Sequence, residues 1–281
     1  MSTNIESKQI VFLGAGKMGE AMLNGWLSSD TPPAQSLSSS NFSIVEHTEK
    51  RCNYLSQNYK VQCFSHVFEP TQADIVILAV KPQGLCALVK TLAGLEQYQS
   101  SLFVSIAAGI STDTLTQLLP EKSRLVRVMP NVGLMVGAGA SVVCSSSSST
   151  KADVQLVYEL FACLGQAEII EEKFVDAAGA LSGSGPAYIA AVVEAMVQAG
   201  QQQGLSPELS ESLTLQTLYG SALQLKTTGQ SAQALRESVS SPGGTTLAAL
   251  AAMKNAGLEN VFSQGVAAAV QRSKELATCQ P

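Results

Sequence analysis

Apolar residues follow two different patterns along the chain, and the change between them lies near residue 172. Before it, short runs are almost entirely apolar and rich in β-branched residues, which is typical of strands buried on both faces of a parallel sheet. Stretches with helical spacing separate these runs. The alternation predicts parallel βαβ units throughout, with strands at residues 9–13, 42–46, 73–80, 102–107, 125–129, 141–144 and 167–170.

After residue 172 the β-branched runs become sparse, and Ala, Leu, Gln and Glu recur at helical spacing. The stretch 187–199 is apolar almost all round, which is typical of a helix buried in a large core or against another subunit. The pattern predicts an α/β fold in which residues 8–171 form one domain and residues 172–281 form an all-helical domain. The predicted helices of the second domain are 175–181, 187–203, 207–226, 232–239, 245–256 and 261–277.

The first strand leads directly into a glycine-rich turn, and a helical pattern follows the turn. G-x-G-x-x-G between a strand and a helix is the context that a dinucleotide-binding motif requires. Gly14 permits the tight turn, Gly16 lets a pyrophosphate approach the backbone, and Gly19 lets helix and strand pack closely. We therefore predict a Rossmann-type N-terminal domain whose cofactor-binding residues are Gly14, Ala15, Gly16, Lys17, Met18 and Gly19.

The second strand ends at Glu46, and His47, Thr48, Lys50 and Arg51 follow it. An acid at this place bonds the ribose 2′-hydroxyl of NAD, whereas a hydroxyl with basic residues holds the 2′-phosphate of NADP. Both sets are present, so the sequence leaves NADH and NADPH open as the cofactor. Lys50 and Arg51 can equally begin a solvated helix face. We predict that His47 and Thr48 contact the cofactor on its adenosine side.

Cofactor contacts are also expected where the third strand ends. Ligands of open α/β sheets bind at the carboxyl ends of the strands, which places Val80 and Lys81 beside the dinucleotide. Pro82 then ends the strand or begins the next helix at its first position, where a missing N–H costs nothing.

Composition narrows the function further. With 46% apolar residues, the 281-residue chain can bury a sizeable core and form two domains. A net charge of −5 and basic runs no longer than two residues argue against nucleic-acid and membrane partners. The six cysteines fall in no zinc-binding spacing, so we predict free thiols, no metal site and a cytoplasmic protein. A short polar leader and interrupted apolar runs predict neither a signal peptide nor a membrane span.

Acid–base groups are sparse, and two glycine-containing clusters stand out in the helical part. Both histidines, His47 and His66, lie in the N-terminal domain, whereas a hydroxy-acid dehydrogenase needs a base beside its alcohol. An imine reductase needs no such strong group, because the substrate nitrogen arrives protonated. The clusters are LSGSGPAY at 181–188 and SPGGTT at 241–246. The second opens a helix, so it is either an ordinary cap or a carboxylate site on free backbone amides.

Six segments of the chain form a combination that is typical of one known family. They are FLGAGKMG, LAVKPQ, SIAAGIS, RVMPN, LSGSGPAYI and SPGGTTLAAL. The combination resembles the pyrroline-5-carboxylate reductases, from about residue 10 to about residue 276. The resemblance implies reduction of L-1-pyrroline-5-carboxylate to L-proline, the last step of proline biosynthesis, with hydride from NADPH or NADH. It also implies a homodimer with interleaved helical domains, which often assembles further into a decamer.

The resemblance also implies roles for individual residues. The nicotinamide side would be lined by Ala79, Val80, Lys81 and Pro82. The Thr246 hydroxyl would be the catalytic group, hydrogen-bonded to the ring nitrogen, and Ser184 within 182–186 would shape the floor of the substrate pocket. The substrate itself would be bound by Gly243, Gly244, Thr245 and Thr246.

One segment departs from the pattern of the family. After the fifth strand the family has Asn-Thr-Pro, whereas this chain has Asn131-Val132-Gly133. The hydroxyl and the rigid proline are therefore missing, and contacts from this loop cannot be carried over as a set. Asn131 is retained, and we keep it as a candidate on the cofactor side.

Three other functions are alternatives to this one. A β-hydroxyacid-type dehydrogenase is expected to carry a catalytic lysine in its second domain, but Ser184-Gly185-Pro186 stands in that region without one. A non-enzymatic dinucleotide-binding paralogue is expected to have lost the substrate turn, and SPGGTT is intact. A reductase of another cyclic imine stays open.

Overall fold

The computed structural model describes residues 5–276, which form two compact units. One unit comprises residues 5–184 together with 269–276, and the other is Gly185–Ala268. The last strand ends at Ile169, and the chain is helical from Glu172 onward apart from short turns. The predicted domain boundary between residues 171 and 172 falls at this change of secondary structure and, as a boundary between domains, stays a prediction.

The first unit is built around one eight-stranded sheet with the strand order β3-β2-β1-β4-β5-β6-β7-β8. Its first six strands have the order 3-2-1-4-5-6 of a doubly wound dinucleotide-binding fold. The strands are β1 Ile10–Leu13, β2 Phe42–Val45, β3 Gln62–Phe64, β4 Ile75–Leu78, β5 Leu102–Ser105, β6 Arg124–Met129, β7 Gly139–Ser145 and β8 Gly165–Ile169.

The prediction of parallel strands throughout is wrong at one place, because β7 runs antiparallel to β6. A parallel neighbour requires a crossover of a dozen or more residues. Between these two strands the chain has only residues 130–138, with a short 3₁₀ turn at Val132–Val136. The strand β3 was not predicted from the pattern, since it has three residues and none of them is fully buried.

Helices occupy most of the remaining chain, close to the predicted ranges. In the first unit they are α1 Lys17–Leu27, α2 Glu49–Tyr59, α3 Pro82–Leu92, α4 Thr112–Leu118, α5 Lys151–Ala162 and α6 Val175–Ala178, followed by a π-helical turn Gly179–Gly183. Further along they are α7 Gly185–Gln202, α8 Pro207–Thr228, α9 Ala232–Ser238, α10 Thr245–Asn255 and α11 Leu258–Leu276.

Both faces of the sheet are buried, and successive residues of β1 show how. Ile10 and Phe12 pack in one apolar cluster, whereas Val11 and Leu13 pack in the cluster on the opposite face. Side chains of a strand alternate between the two faces, so a fully apolar strand feeds two cores at once. The sheet is therefore a rigid platform, and its strand ends are free to carry the chemistry.

The second unit is apolar in composition but buries almost nothing by itself. Among residues 185–268 the only buried side chains are those of Ser210 and Thr214. Large apolar side chains are exposed instead, including Ile189 at 45% and Met196 at 42%. The alternative in which residues 187–199 are buried in a large core of their own chain is therefore wrong. Burial against another subunit is the alternative that remains.

One helical stretch, Glu172–Gln202, is long and apolar enough to cross a membrane by length and composition alone, with a mean hydropathy of 1.3 over its most apolar window. Only 6% of that window is buried within the chain. The prediction that nothing in the chain spans a membrane therefore stays a prediction. A helix that packs against a partner passes the same test, so the finding is weak evidence for a membrane.

The cysteines also differ from the prediction of free thiols. Cys52 of α2 and Cys63 of β3 form a disulfide, with Cα atoms 5.6 Å apart. That separation lies within the range that a disulfide requires, and it arises because α2 leads directly into β3. Spacing along the sequence did not reveal the pair. Cys144 and Cys163 are free, and Cys279 lies outside the described residues.

Candidate functional site

The glycine turn between β1 and α1 forms the first part of the candidate site. Gly14 has φ +82°, and its N–H donates to Val45 O at 2.9 Å. A Cβ on Gly14 would lie 2.9 Å from Val80 Cγ1 and 3.1 Å from Ala79 O, so only glycine fits. A Cβ on Gly16 would meet nothing within 4 Å. Gly16 is also the N-cap of α1, and no side chain caps the amides of this helix start.

The ends of β1 and β4 bring two groups of predicted residues together. Leu13 pairs with Leu78, and Ala79 N donates to Leu13 O at 3.0 Å. Parallel neighbours end at the same edge of the sheet, so the glycine turn and residues 79–82 lie side by side. Lys81 is the N-cap of α3 and Pro82 occupies its first turn, as the sequence predicts.

The end of β2 carries the third group. Glu46 is 9% exposed, and its Oε1 accepts a hydrogen bond from Thr48 N at 3.1 Å. The same oxygen lies 3.2 Å from Nδ1 of His47, whose side chain is 92% exposed. Since Val45 accepts from Gly14, Glu46 follows β2 directly beside the glycine turn.

Arg51 is committed to this turn rather than free. Its Nε and Nη2 donate to Ala15 O at 3.0 and 2.8 Å, and Nη2 also pairs with Glu20. Tyr59 donates to the other carboxylate oxygen of Glu20 at 2.9 Å. Burial acts to raise the pKa of Glu20, but the hydrogen bonds from Arg51 and Tyr59 outweigh it and hold that pKa below its usual value. Burial and the bond to Glu20 raise the pKa of Tyr59 to about 12.

Asn131 uses its amide to fix the loop after β6. Its Oδ1 accepts from Gly133 N at 3.1 Å and from Ala140 N at 3.0 Å, and its Nδ2 donates to Ser182 O at 3.0 Å. A Cβ on Gly133 would lie 2.6 Å from Ala138 O, so a residue with a side chain there requires the loop to shift. Asn131 thus ties this loop to the LSGSGPAY segment, and a contact with the cofactor stays a prediction.

The gap between the predicted helices 175–181 and 187–203, where the LSGSGPAY cluster lies, is largely filled by helical turns. Gly179–Gly183 form a π-helical turn, in which Ser184 N donates to Gly179 O at 3.0 Å. A Cβ on Gly183 would lie 2.9 Å from Cε of Met129, and a Cβ on Gly179 would lie 3.1 Å from the same atom. Both glycines therefore pack closely on the Met129 side chain at the end of β6.

Three of the six motif segments meet at one cavity of about 280 Å³ in the first unit. They contribute Ala108 and Gly109 after β5, Met129 at the end of β6, and Ser184 after the π turn. We call this space the β5–β6 cavity. It brings the predicted pocket residue Ser184 to the carboxyl ends of the strands, where ligands of such sheets bind.

A charged network centred on the buried Arg127 contributes Arg127 and Asp176 to the lining of the β5–β6 cavity, and sequence reasoning missed it. Arg127 is 5% exposed, and its Nη1 donates to Glu172 Oε1 at 3.0 Å. Glu172 also accepts from Thr112 N at 2.6 Å, and Asp176 accepts from Ser273 Oγ at 2.9 Å. Within residues 5–276, Arg127 Nε has no hydrogen-bond partner. An arginine inside an otherwise apolar strand, residues 125–129, was the signal for it.

The SPGGTT turn lies in the second unit and opens α10. Gly243 has φ +70°, and a Cβ on this residue would meet no other atom within 4 Å. Gly244 N donates to Ser241 O at 3.0 Å. Gly244 is the N-cap of α10, and no side chain bonds to the cap. At this turn, which lies within the described residues, α10 therefore has no side-chain cap. Thr245 and Thr246 occupy the first two helical positions, where the backbone amides of a helix have no partner within the helix.

Known proteins match the chain over nearly all of its length. A family model described as pyrroline-5-carboxylate reductase dimerisation matches residues 172–276, and one described as NADP oxidoreductase, coenzyme F420-dependent, matches residues 9–109. A pyrroline-5-carboxylate reductase of Methanosarcina acetivorans is 34% identical over 97% of this chain and 99% of its own length. This chain belongs to the pyrroline-5-carboxylate reductase family.

Solved structures of pyrroline-5-carboxylate reductases have the same fold. The enzyme of Coxiella burnetii has a TM-score of 0.88 and 31% identity, covering 97% of this chain and 99% of its own. The Plasmodium falciparum enzyme, solved with NADP bound, has a TM-score of 0.85 and 30% identity with the same coverage. The family named from the six motif segments is confirmed, together with the α/β fold and the oxidoreductase class. The roles of individual site residues stay predictions.

Proposed function

We propose that this chain reduces L-1-pyrroline-5-carboxylate to L-proline with hydride from NADPH or NADH. Membership of the reductase family over nearly the whole chain carries the proposal. The glycine turn supports it, because the space beside Gly16 and the uncapped start of α1 suit a pyrophosphate. Cofactor contacts are assigned to Gly14–Gly19, His47, Thr48, Ala79–Pro82 and Asn131.

The reaction requires little acid–base catalysis by the protein. A bound NADH or NADPH supplies hydride to the imine carbon, and the ring nitrogen keeps the proton with which it arrives, so the product is a secondary amine. The substrate carboxylate would accept hydrogen bonds from the amides of Gly243 and Thr245, at the positive end of α10. The predicted contact of Gly244 does not run through its amide, which already donates to Ser241 O at 3.0 Å. The Thr246 hydroxyl would orient the ring nitrogen. Ser184 in the β5–β6 cavity would shape the floor of the pocket.

The oligomer is part of the proposal. The chain carries the dimerisation region of the family at residues 172–276, and the apolar helices of this region are exposed within one chain. A second copy would cover them, because exposed apolar surface of this extent is typical of an interface. We propose a homodimer. Assembly into a decamer, the cytoplasmic location, and the exclusion of nucleic acid and membrane stay predictions from the sequence.

The direct test follows oxidation of NADPH and NADH by the purified protein with L-1-pyrroline-5-carboxylate. We expect turnover with at least one cofactor and L-proline as the product, identified by mass spectrometry. A six-membered cyclic imine carboxylate serves as the competing substrate. Faster turnover of that imine supports the alternative substrate, and no oxidation with any of them overturns the proposed function.

A second test addresses the catalytic threonine. Replacing Thr246 with alanine should lower kcat by about tenfold or more, because the hydroxyl acts on the reacting nitrogen. The Kd of the cofactor, measured by calorimetry, should not change. Thr227→Ala, at an exposed position near the end of α8, is the control and should retain full turnover. Unchanged kcat in Thr246→Ala removes this residue from the mechanism.

A further inference from the structure

The residues at the end of β2 are those that distinguish the two cofactors in folds of this kind. Glu46, Thr48 and Arg51 all lie here, and each one was a candidate contact for the 2′ position of the adenosine ribose. Two of these residues, Glu46 and Arg51, already have a hydrogen-bond partner in the structure. Arg51 holds Ala15 O with two hydrogen bonds and pairs with Glu20, so its charge is already compensated by a carboxylate and its Nε and Nη2 are engaged away from the ribose.

The Glu46 carboxylate already accepts a hydrogen bond at the start of α2. Its Oε1 accepts from Thr48 N at 3.1 Å, and Thr48 is the N-cap of α2. The free amides at a helix start are the groups that bind a phosphate in such folds. A carboxylate already on that amide leaves an incoming 2′-phosphate facing a buried negative charge, with Glu46 only 9% exposed.

The location of Glu46 fits contact with the ribose. Val45, the residue before it, accepts from Gly14 N at 2.9 Å, so Glu46 emerges next to the turn that we assign to the pyrophosphate. Its amide donates to Phe64 O of β3 at 2.9 Å, which fixes its backbone between two strands. A carboxylate held at this place accepts a hydrogen bond from a ribose 2′-hydroxyl.

We propose that Glu46 makes this chain select NADH over NADPH. The inference rests on the proposed function only in that the same nucleotide donates the hydride. The attraction of a 2′-hydroxyl and the repulsion of a 2′-phosphate come from one carboxylate. Lys50, an exposed cation four residues further along, is too solvated to compensate for it.

The experiment measures the Kd of NADH and of NADPH by titration calorimetry, and kcat/KM with each cofactor. The variants are Glu46→Gln, which removes the charge and keeps an acceptor for Thr48 N, and Glu46→Ser, which also makes room for a phosphate. Glu49→Gln is the matched control, since it makes the same charge change at an exposed position of α2. Circular dichroism verifies that each variant is folded.

We expect the wild-type chain to bind NADH at least about tenfold more tightly than NADPH, and the ratio to fall by about tenfold or more in both Glu46 variants. Glu49→Gln should keep the wild-type ratio. Equal or tighter binding of NADPH by the wild-type chain overturns the inference, as does an unchanged ratio in both Glu46 variants. Selective binding of NADH without turnover of the imine instead refutes the proposed function and leaves the role of Glu46 supported.

Discussion

Gly14 and Gly16 belong to one motif, but they are glycine for different reasons. Gly14 has a positive φ, and a Cβ there would press on Val80 and Ala79. Gly16 has φ −64°, which any residue adopts, and open space around it. The first glycine is required by the fold, whereas the second leaves room for a ligand. The two functions of the motif can therefore be separated by mutation.

Gly16→Ala should weaken cofactor binding by about tenfold or more, because the methyl group occupies the space through which the pyrophosphate approaches. The free energy of unfolding should stay within about 0.5 kcal/mol of wild type. Gly14→Ala should lower the free energy of unfolding by about 1–3 kcal/mol, because the left-handed backbone strains alanine and the new Cβ clashes with its neighbours. Urea unfolding and calorimetric titration measure the two effects. Unchanged cofactor affinity in Gly16→Ala contradicts the assigned pyrophosphate site.

The motifs predicted which residues are unusual, but not which residues form hydrogen bonds or ion pairs with them. The sequence picked out Glu46 and Arg51 as rival cofactor contacts, and only the structure shows that Arg51 holds Ala15 O and Glu20. Arg127 was passed over because Glu172, its partner, lies 45 residues further along. These side chains meet because the fold brings distant segments together, and spacing along the chain does not show which segments those are.

At the scale of elements, Glu20, Arg51 and Tyr59 join α1 to α2 behind the glycine turn. Arg51 also bonds the backbone of that turn at Ala15. The group is half-buried, so its charges are only partly screened by solvent. It therefore stabilises the arrangement of the two helices on which the proposed cofactor site depends.

Glu20 gives this junction a pH dependence whose sign can be stated. Its pKa is lower in the folded chain than the usual 4.5, so the folded state binds the proton less tightly than the unfolded state. The resulting stability is present above the usual value and is lost as the pH falls through the lower folded value. Glu20→Gln should thus lose stability at neutral pH and show a weaker dependence between about pH 5 and pH 3. Urea unfolding across that range measures it.

The control for that experiment is Glu49→Gln, at an exposed position on the helix that carries Arg51. It should keep the pH dependence of the wild-type chain. A Glu20→Gln variant whose unfolding free energy falls as steeply on acidification as wild type contradicts the assignment.

Prediction of elements succeeded where a periodic pattern was long and failed where topology decided. Helices α7, α8 and α10 begin and end within a few residues of their predicted ranges. Periodicity reports which face of an element is buried, but not the direction of its neighbour. The antiparallel pairing of β7 with β6 follows instead from the short connection between them. The glycines of the π turn at Gly179–Gly183 pack against Met129, a contact that no local pattern contains.

The whole molecule is divided between a unit with a complete core and one without. The sheet unit buries large side chains on both faces, among them Trp26 and Phe103. In the helical unit, α7 and α11 instead enclose an apolar groove lined by Tyr188, Val192, Val261 and Phe262. The sequence predicted two alternatives for this apolar surface, a large core or another subunit. Only the structure excludes the large core, because composition does not show what a helix packs against.

A single charge in this groove tests the proposed homodimer. Val261 is 63% exposed within the chain, so Val261→Glu costs little in an isolated chain but would bury an unpaired carboxylate in the dimer. We expect the wild-type chain to sediment as a dimer or a larger assembly at micromolar concentration and Val261→Glu to shift toward the monomer. Phe68→Glu is the matched control, because Phe68 is also 63% exposed but belongs to the sheet unit, and it should leave sedimentation unchanged. A wild-type chain that sediments as a monomer, or a Val261→Glu variant that assembles like wild type, contradicts the proposal that a second copy covers this groove.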